Sequence, residues 1–381
     1  MDRRFFLKGA GLLGCSVAAH PLTTTLTLAQ APGEARLVVI ILRGAMDGLD
    51  VVRPLGDPAY AALRPTLSGA GALPLDGFFA LHPALAPLMP LWAAGELGFA
   101  HAVSTPYRDK RSHFDGQDVL EAGTGLDVPV PDVRDGWLNR MLVALPWLRA
   151  ETAYAVGAEA LPVLDGAAPV RNWEPDLSLD LSAQNRLLLE HVYHDDPLFH
   201  ASGSEAIELA AGGVAGGGDV SPLVAFTAAR LRGESRIAAF SQTGWDTHRA
   251  QGRTLVRPLT QLGETILQLK AQLGPVWGQT TVLALTEFGR TARENGSGGT
   301  DHGTGGVMLM AGGAIRGGRV FGQWPGLGET ALYEGRDLMP TADVRAYAAW
   351  AMRGLYGLDR GFLETTVFPG LSMGDDPKLL L

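Results

Sequence analysis

The chain predicts an α/β fold in which a mostly parallel central sheet is covered by helices on both faces. Three observations carry this. Five short runs are continuously apolar rather than alternating, the pattern of strands buried on both sides. Amphipathic stretches with helical period separate or follow them. Polar, glycine-containing clusters recur close behind the runs, where a parallel sheet places its ligand-binding crevice.

The apolar runs are Leu37–Leu42, Leu97–Val103, Arg236–Ser241, Thr280–Leu285 and Gly306–Met310. The clearest helix spans Thr254–Leu273, with Leu255, Leu259, Leu262, Ile266, Leu269 and Leu273 on one face and a stop at Gly274-Pro275. A second covers about Asp343 to Leu355, with Thr341 near its cap position. The uncharged stretch Gly77–Gly95 reaches membrane-span length, but Pro83, Pro87 and Pro90 interrupt it, and it reads as buried core. Residues 36–123 and 236–381 form the expected core, and 124–235 reads as an insertion or cap. That middle segment is rich in glycine and acidic residues and shows few strand signals.

Residues 1–31 have the order of a twin-arginine export signal: Arg3-Arg4, then Phe5, Phe6, Leu7 and Lys8, then a short apolar stretch. The stretch is too short to span a bilayer, which needs about 20 residues. The expected partner is therefore the twin-arginine export machinery, and the location periplasmic or secreted, without a stable transmembrane segment in the mature chain. Cys15, the single cysteine, lies inside the signal, so the mature chain has neither disulfide nor thiolate ligand. With 31 basic and 40 acidic residues and no long basic tract, the chain lacks the electrostatic footprint of a nucleic-acid binder.

The polar clusters contain Asp47 in RGAMDG, Ser112, His113, Asp115 and Asp118 in RSHFDGQD, and Asp246 and His248 in GWDTH. Glu287 and Arg290 follow in TEFGRT, and Asp301 and His302 in NGSGGTDHG. Carboxylates and imidazoles without thiols form a ligand set for a catalytic divalent metal such as zinc, manganese or calcium. Arg290 or Arg43 offers a bidentate partner for an oxyanion. Ser112, at a helix start, is a candidate nucleophile or anion-binding hydroxyl. Structural roles stand beside these: Ser112 as a plain cap, His113 as a core histidine, Asp47-Gly48 as a tight turn, Glu287 and Arg290 as a local ion pair.

RRFFLKG, LRGAMDGLDVVRP, RSHFDGQDVLEAGT, GWDTH, LTEFGRTARENGSGGTDHG and GGAIRGGRVFG together resemble the bacterial family catalogued as domain of unknown function 1501, over essentially the whole mature chain. That family is placed with the alkaline phosphatase and sulfatase superfamily. The resemblance implies an alkaline-phosphatase-like sandwich, with one or two metals at the sheet's carboxyl edge. By position it implies Asp47, Asp246, His248 and His302 as metal ligands and Ser112 as nucleophile. Glu287-Phe288-Gly289 stands where an aspartate-histidine-glycine motif is expected, so one metal position is altered, with Asp301 as a replacement ligand.

The expectation is an exported metal-dependent hydrolase of phosphate or sulfate esters, acting on a small-molecule or glycan ester. Asp47, Asp246, His248, Glu287, Asp301 and His302 form the metal pool, and Ser112, His113 and Arg290 the catalytic set. The alternative is a non-catalytic periplasmic binding or assembly protein that kept the sandwich with a degenerate site.

Overall fold

The computed structural model describes residues 34–69, 71–108, 110–125, 133, 135–145, 152–157, 159–174 and 221–381. The segment expected to be an export signal, with Cys15, and the glycine-rich part of the middle segment lie outside the described residues.

Every apolar run becomes a strand of one large sheet. The strands are β1 (Arg36–Leu42), β2 (Leu97–Ser104), β3 (Ala153–Val156), β4 (Arg171–Trp173), β5 (Ile237–Gln242), β6 (Thr280–Leu285), β7 (Gly306–Ala311), β8 (Val320–Phe321) and β9 (Ala342–Asp343). Their spatial order is β8-β2-β7-β6-β1-β5-β3-β4, with β9 also pairing β2. β1 runs parallel to β5, with Leu37 opposite Ile237, and parallel to β6, with Arg36 opposite Thr280. β7 alone runs antiparallel to its neighbours, β6 and β2. Within the segment 124–235, the described residues place β3 and β4 at the far edge of this sheet, parallel to β5 and to each other.

β1 explains why the runs are continuously apolar: all seven of its residues are buried. Leu37, Val39 and Ile41 pack in one core with Trp137 and Met141 of α4 (Trp137–Val143) and Ala349 and Met352 of α7 (Val344–Tyr356). Val38, Ile40 and Leu42 pack in the other with Leu259, Leu262, Ile266 and Leu269 of α6 (Val256–Leu273) and Val224 and Ala228 of α5 (Ser221–Arg232). The chain is thus an α/β sandwich with helices on both faces, and Arg36–Leu381 form one unit. α6 lies where the leucine pattern put it, although a separate turn, Gln251–Thr254, precedes it. The cap of α7 is Asp343, which accepts from the Arg345 amide, while the Thr341 hydroxyl donates to the Gln323 carbonyl.

The antiparallel β7 has a consequence for function. β6 ends and β7 begins at the same edge of the sheet, so the loop between them, Thr286–Gly305, never leaves it. That edge also receives the carboxyl ends of β1, β2 and β5.

Leu262 is fully buried between α6 and the sheet. Leu262→Ala is expected to lower unfolding free energy by about 2–5 kcal/mol in urea denaturation, through lost burial and a residual cavity. A loss below about 1 kcal/mol would contradict this packing.

Candidate metal centre

α3 (His113–Ala122) starts at the sheet edge because Ser112 caps it, its hydroxyl accepting from the Asp115 amide at 3.4 Å. The Ser112 amide in turn donates to the Tyr107 hydroxyl at 2.8 Å. The first residue of α3, His113, therefore projects over the ends of the strands. His248 follows β5 and His302 lies in the β6–β7 loop.

These three imidazoles share one arrangement. The Nδ1 of His113 lies 2.8 Å from Glu287 Oε1, that of His248 3.3 Å from Asp301 Oδ1, and that of His302 2.8 Å from the Arg111 carbonyl. All three partners are acceptors, which favours a proton on Nδ1 in each ring and leaves Nε2, when unprotonated, able to bind a cation. The three Nε2 atoms converge on a single oxygen, Asp246 Oδ1, at 3.4 Å for His113, 3.1 Å for His248 and 3.3 Å for His302.

A divalent cation, or protons on Nε2, would satisfy this arrangement. His248 and His302 face each other Nε2 to Nε2 at 2.9 Å. His113 Nε2 is buried and has no hydrogen-bond partner. Donors 2.0–2.1 Å from a tetrahedral ion lie about 3.3 Å from one another, which the nitrogen–oxygen separations match. Ligand atoms of His113, His302 and Asp246 lie within 4.8 Å of one another, a donor set that fits a divalent metal, and His248, whose Nε2 is 3.1 Å from Asp246, is the fourth ligand such an ion would draw in.

The surroundings tune these groups for that task. Burial would raise the Asp246 carboxyl, but the Arg290 hydrogen bond and charge outweigh it and bring it down to about 2. Burial would likewise raise Glu287, but bonds from His113, Gln117 and the Gly44 amide hold it below its usual range. The hydrogen bond to Glu287 raises His113, and burial lowers His302. The Asn295 amide holds Asp301 down. Because metal and proton compete for the same nitrogens, affinity should fall as pH drops through the imidazole range.

The expected site residues divide by position. Asp246, His248 and His302 of the expected pool converge, and His113 joins them from the expected catalytic set. Glu287 and Asp301 stand one step back, each orienting an imidazole. Asp47 does not reach the cluster. It is fully buried, caps α1 (Gly48–Val51), and gives its carboxylate to Arg64 at 2.5 and 3.0 Å and to Gln251 at 2.5 Å. Arg290 does not face an oxyanion: it bonds the carbonyls of Gly44, Ala45, Trp245 and Thr300 and Asp246 Oδ1, with no exposed side-chain surface. It pins Asp246. Phe288 stacks against His113 at 5.3 Å and Tyr107 at 5.9 Å, supporting the ligand ring.

Sequence reasoning missed Gln117 and Asn295. Gln117 lies four residues after His113 on α3, a spacing that puts both on one helix face. Asn295 has no such signal, because the loop's fold alone brings it to Asp301 at 3.0 Å. Close backbone contact explains the loop's glycines. A Cβ at Gly299 would lie 2.3 Å from the His248 carbonyl carbon. Gly44, at φ +120°, holds its turn against Asp246.

Behind Glu287 the network continues. Gln117 meets Arg43 at 2.8 Å, and Arg43 meets the buried Glu121 at 2.8 Å. Burial outweighs the pull of Arg43 and pushes Glu121 up to about 7.

Residues 222–346 match the model of the family described as "Protein of unknown function (DUF1501)", the family that the motifs resemble. No curated protein matches the chain in sequence. One similar solved structure is the integral membrane lipooligosaccharide phosphoethanolamine transferase A of Neisseria meningitidis, at 11% identity and TM-score 0.42, covering 86% of this chain. This chain spans only 56% of that protein. The lipoteichoic acid synthase LtaP of Listeria monocytogenes gives 9% identity and TM-score 0.43, covering 89% of this chain and 76% of its own. The zinc complex of the periplasmic domain of EcEptC from Escherichia coli gives 10% and 0.35, covering 74% of each. Among the described residues no helix is long and apolar enough to cross a membrane.

Three outcomes follow. Elemental mass spectrometry is expected to find about one equivalent of divalent metal, absent from Asp246→Ala and bound about 10–100-fold more weakly by Glu287→Gln. Asp47→Asn should keep the metal while losing about 3–5 kcal/mol of stability, because Arg64 would be left buried without its counter-charge. Retained stability with lost metal would return Asp47 to the ligand set. Glu121 binds its proton more tightly folded than unfolded, so its contribution to stability falls as pH rises from about 4.5 to about 7. Glu121→Gln should therefore melt higher than wild type at pH 8, with the difference vanishing near pH 4.5; a constant difference would refute the burial argument.

Proposed function

We propose that the protein is an exported, metal-dependent hydrolase of phosphate or sulfate esters. The supporting observation is the convergence of three Nε2 atoms on Asp246, each imidazole fixed from behind by its own acceptor. A metal bound there supplies Lewis acidity toward a phosphoryl or sulfuryl oxygen. Three imidazoles favour zinc or manganese over calcium, whose ligands are mainly oxygen.

The chain's own groups divide the remaining work. Arg290 keeps Asp246 ionised and aimed, and Glu287 and Asp301 set the rings. Ser112 opens α3 one residue before His113, at a helix start whose free amides favour a negative group. Its hydroxyl is the proposed nucleophile. Attack on phosphorus or sulfur forms a seryl ester and releases the alcohol, and water then cleaves that ester to regenerate Ser112. Asp246 is about half exposed at the side chain, which leaves the centre open to a substrate. Export rests on the Arg3-Arg4 signal, which places the activity outside the cytoplasm.

The test is turnover of para-nitrophenyl phosphate and para-nitrophenyl sulfate by metal-loaded protein. Ser112→Ala is expected to retain its metal, lose about 1 kcal/mol with the helix cap, and lose at least about 10³-fold in turnover. Wild-type rate in this variant would remove Ser112 as nucleophile. A metal-loaded protein inert toward every ester of both classes would leave the binding-protein reading.

A further inference from the structure

A cavity of about 620 Å³ lies against Asp301 and Asn295, behind the carboxylate that holds His248. Its volume is that of a small-molecule site. Leu63, Leu327 and Leu332 line it and are buried members of one apolar cluster. Arg293 and Arg336 line it too.

Three acids and two arginines line this cavity, and they differ in how far their hydrogen-bonding capacity is used within the protein. Glu294 accepts from the Thr66 amide, the Thr66 hydroxyl and the Leu67 amide at 3.0–3.1 Å. Asp301 is held by Asn295 and His248. Among the lining acids that leaves Glu329, which is exposed. On the basic side, Arg336 is tethered by one nitrogen, Nη1, to the His302 carbonyl at 2.9 Å and to Asp337 at 2.8 Å. The rest of its guanidinium remains for a ligand. Arg293 is exposed, and its side chain makes no ion pair or hydrogen bond among the described residues. Two guanidinium groups over an apolar floor, one of them tied to the backbone of a metal-binding histidine, suit an anion on an apolar body.

We infer that this cavity recognises the alcohol portion of the ester, and that this portion has an apolar body carrying a second anionic group, a carboxylate, phosphate or sulfate. The inference rests on the ester-hydrolysing reading of the neighbouring centre. Arg293 and Arg336 would pair the distal anion while Leu327 and Leu332 cover the body, with the ester group left toward His302.

The test uses fluorescence titration of the full chain with anilinonaphthalene sulfonate, and with neutral N-phenylnaphthylamine as the matched body without its charge. Wild type is expected to bind the sulfonate at a saturable site at least about tenfold more tightly than the neutral dye. Arg293→Ala should abolish that preference. Ala62→Trp, which enters the cavity from an exposed lining position, should remove the site for both dyes. Both variants should keep their metal. Unchanged dye binding in both variants, or no preference in wild type, would overturn the inference. The dye readout needs no turnover, so the two readings fail separately. Ester hydrolysis with unaltered dye binding removes the pocket alone. Dye binding that responds to both variants in a protein inert toward esters supports the anion pocket and removes the ester reading.

Discussion

Imidazole lone pairs repel one another when they point at a common space, and three of them here point at one carboxylate oxygen. A cation among them, or a proton on Nε2, relieves that repulsion. Everything nearby serves to keep it in place. Each Nδ1 is given an acceptor, which fixes the tautomer and the ring's direction. Arg290, sealed among four backbone carbonyls, spends its remaining donor capacity on Asp246. A buried arginine tied to so many carbonyls cannot swing away, and so the carboxylate it holds cannot either.

The sheet makes this geometry affordable. Its parallel strands deliver His248 and α3 to one edge, and the reversal at β7 keeps the β6–β7 loop there, bringing Glu287, Arg290, Asp301 and His302 from a single connection. Glycines at 299 and 303 let that loop lie directly on the backbone of His248 and Arg290. The ion network of Asp47, Arg64, Gln251 and Asp50 is a separate matter. It ties α1 and the turn before α6 to the loop's far side, since Arg64 also bonds the carbonyls of Thr291 and Ala292.

Much of the fold was legible in the sequence because burial on both faces leaves a plain mark. β1, β5 and β6 read as unbroken apolar runs, and α6 as a leucine stripe. β3 and β4 were not legible, because they are short strands of mixed composition at the sheet's edge. Of the site, the residues were legible but their ranks were not. His113 was placed in the catalytic set and Glu287 in the metal pool, whereas the structure turns the histidine toward Asp246 and sets the glutamate behind it. Sequence spacing shows which residues share a loop, but which way an imidazole turns depends on what lies at its Nδ1. Arg290 misled for a similar reason: an arginine near a polar cluster reads as an anion clamp until its carbonyl partners are seen.

The most direct test of the account is the X-ray absorption spectrum of the zinc-loaded protein. The account predicts four light donors at about 2.0–2.1 Å, with outer-shell scattering that fits three imidazoles and a single carboxylate. A shell with fewer than three imidazoles, or a folded protein that holds no zinc, would contradict it.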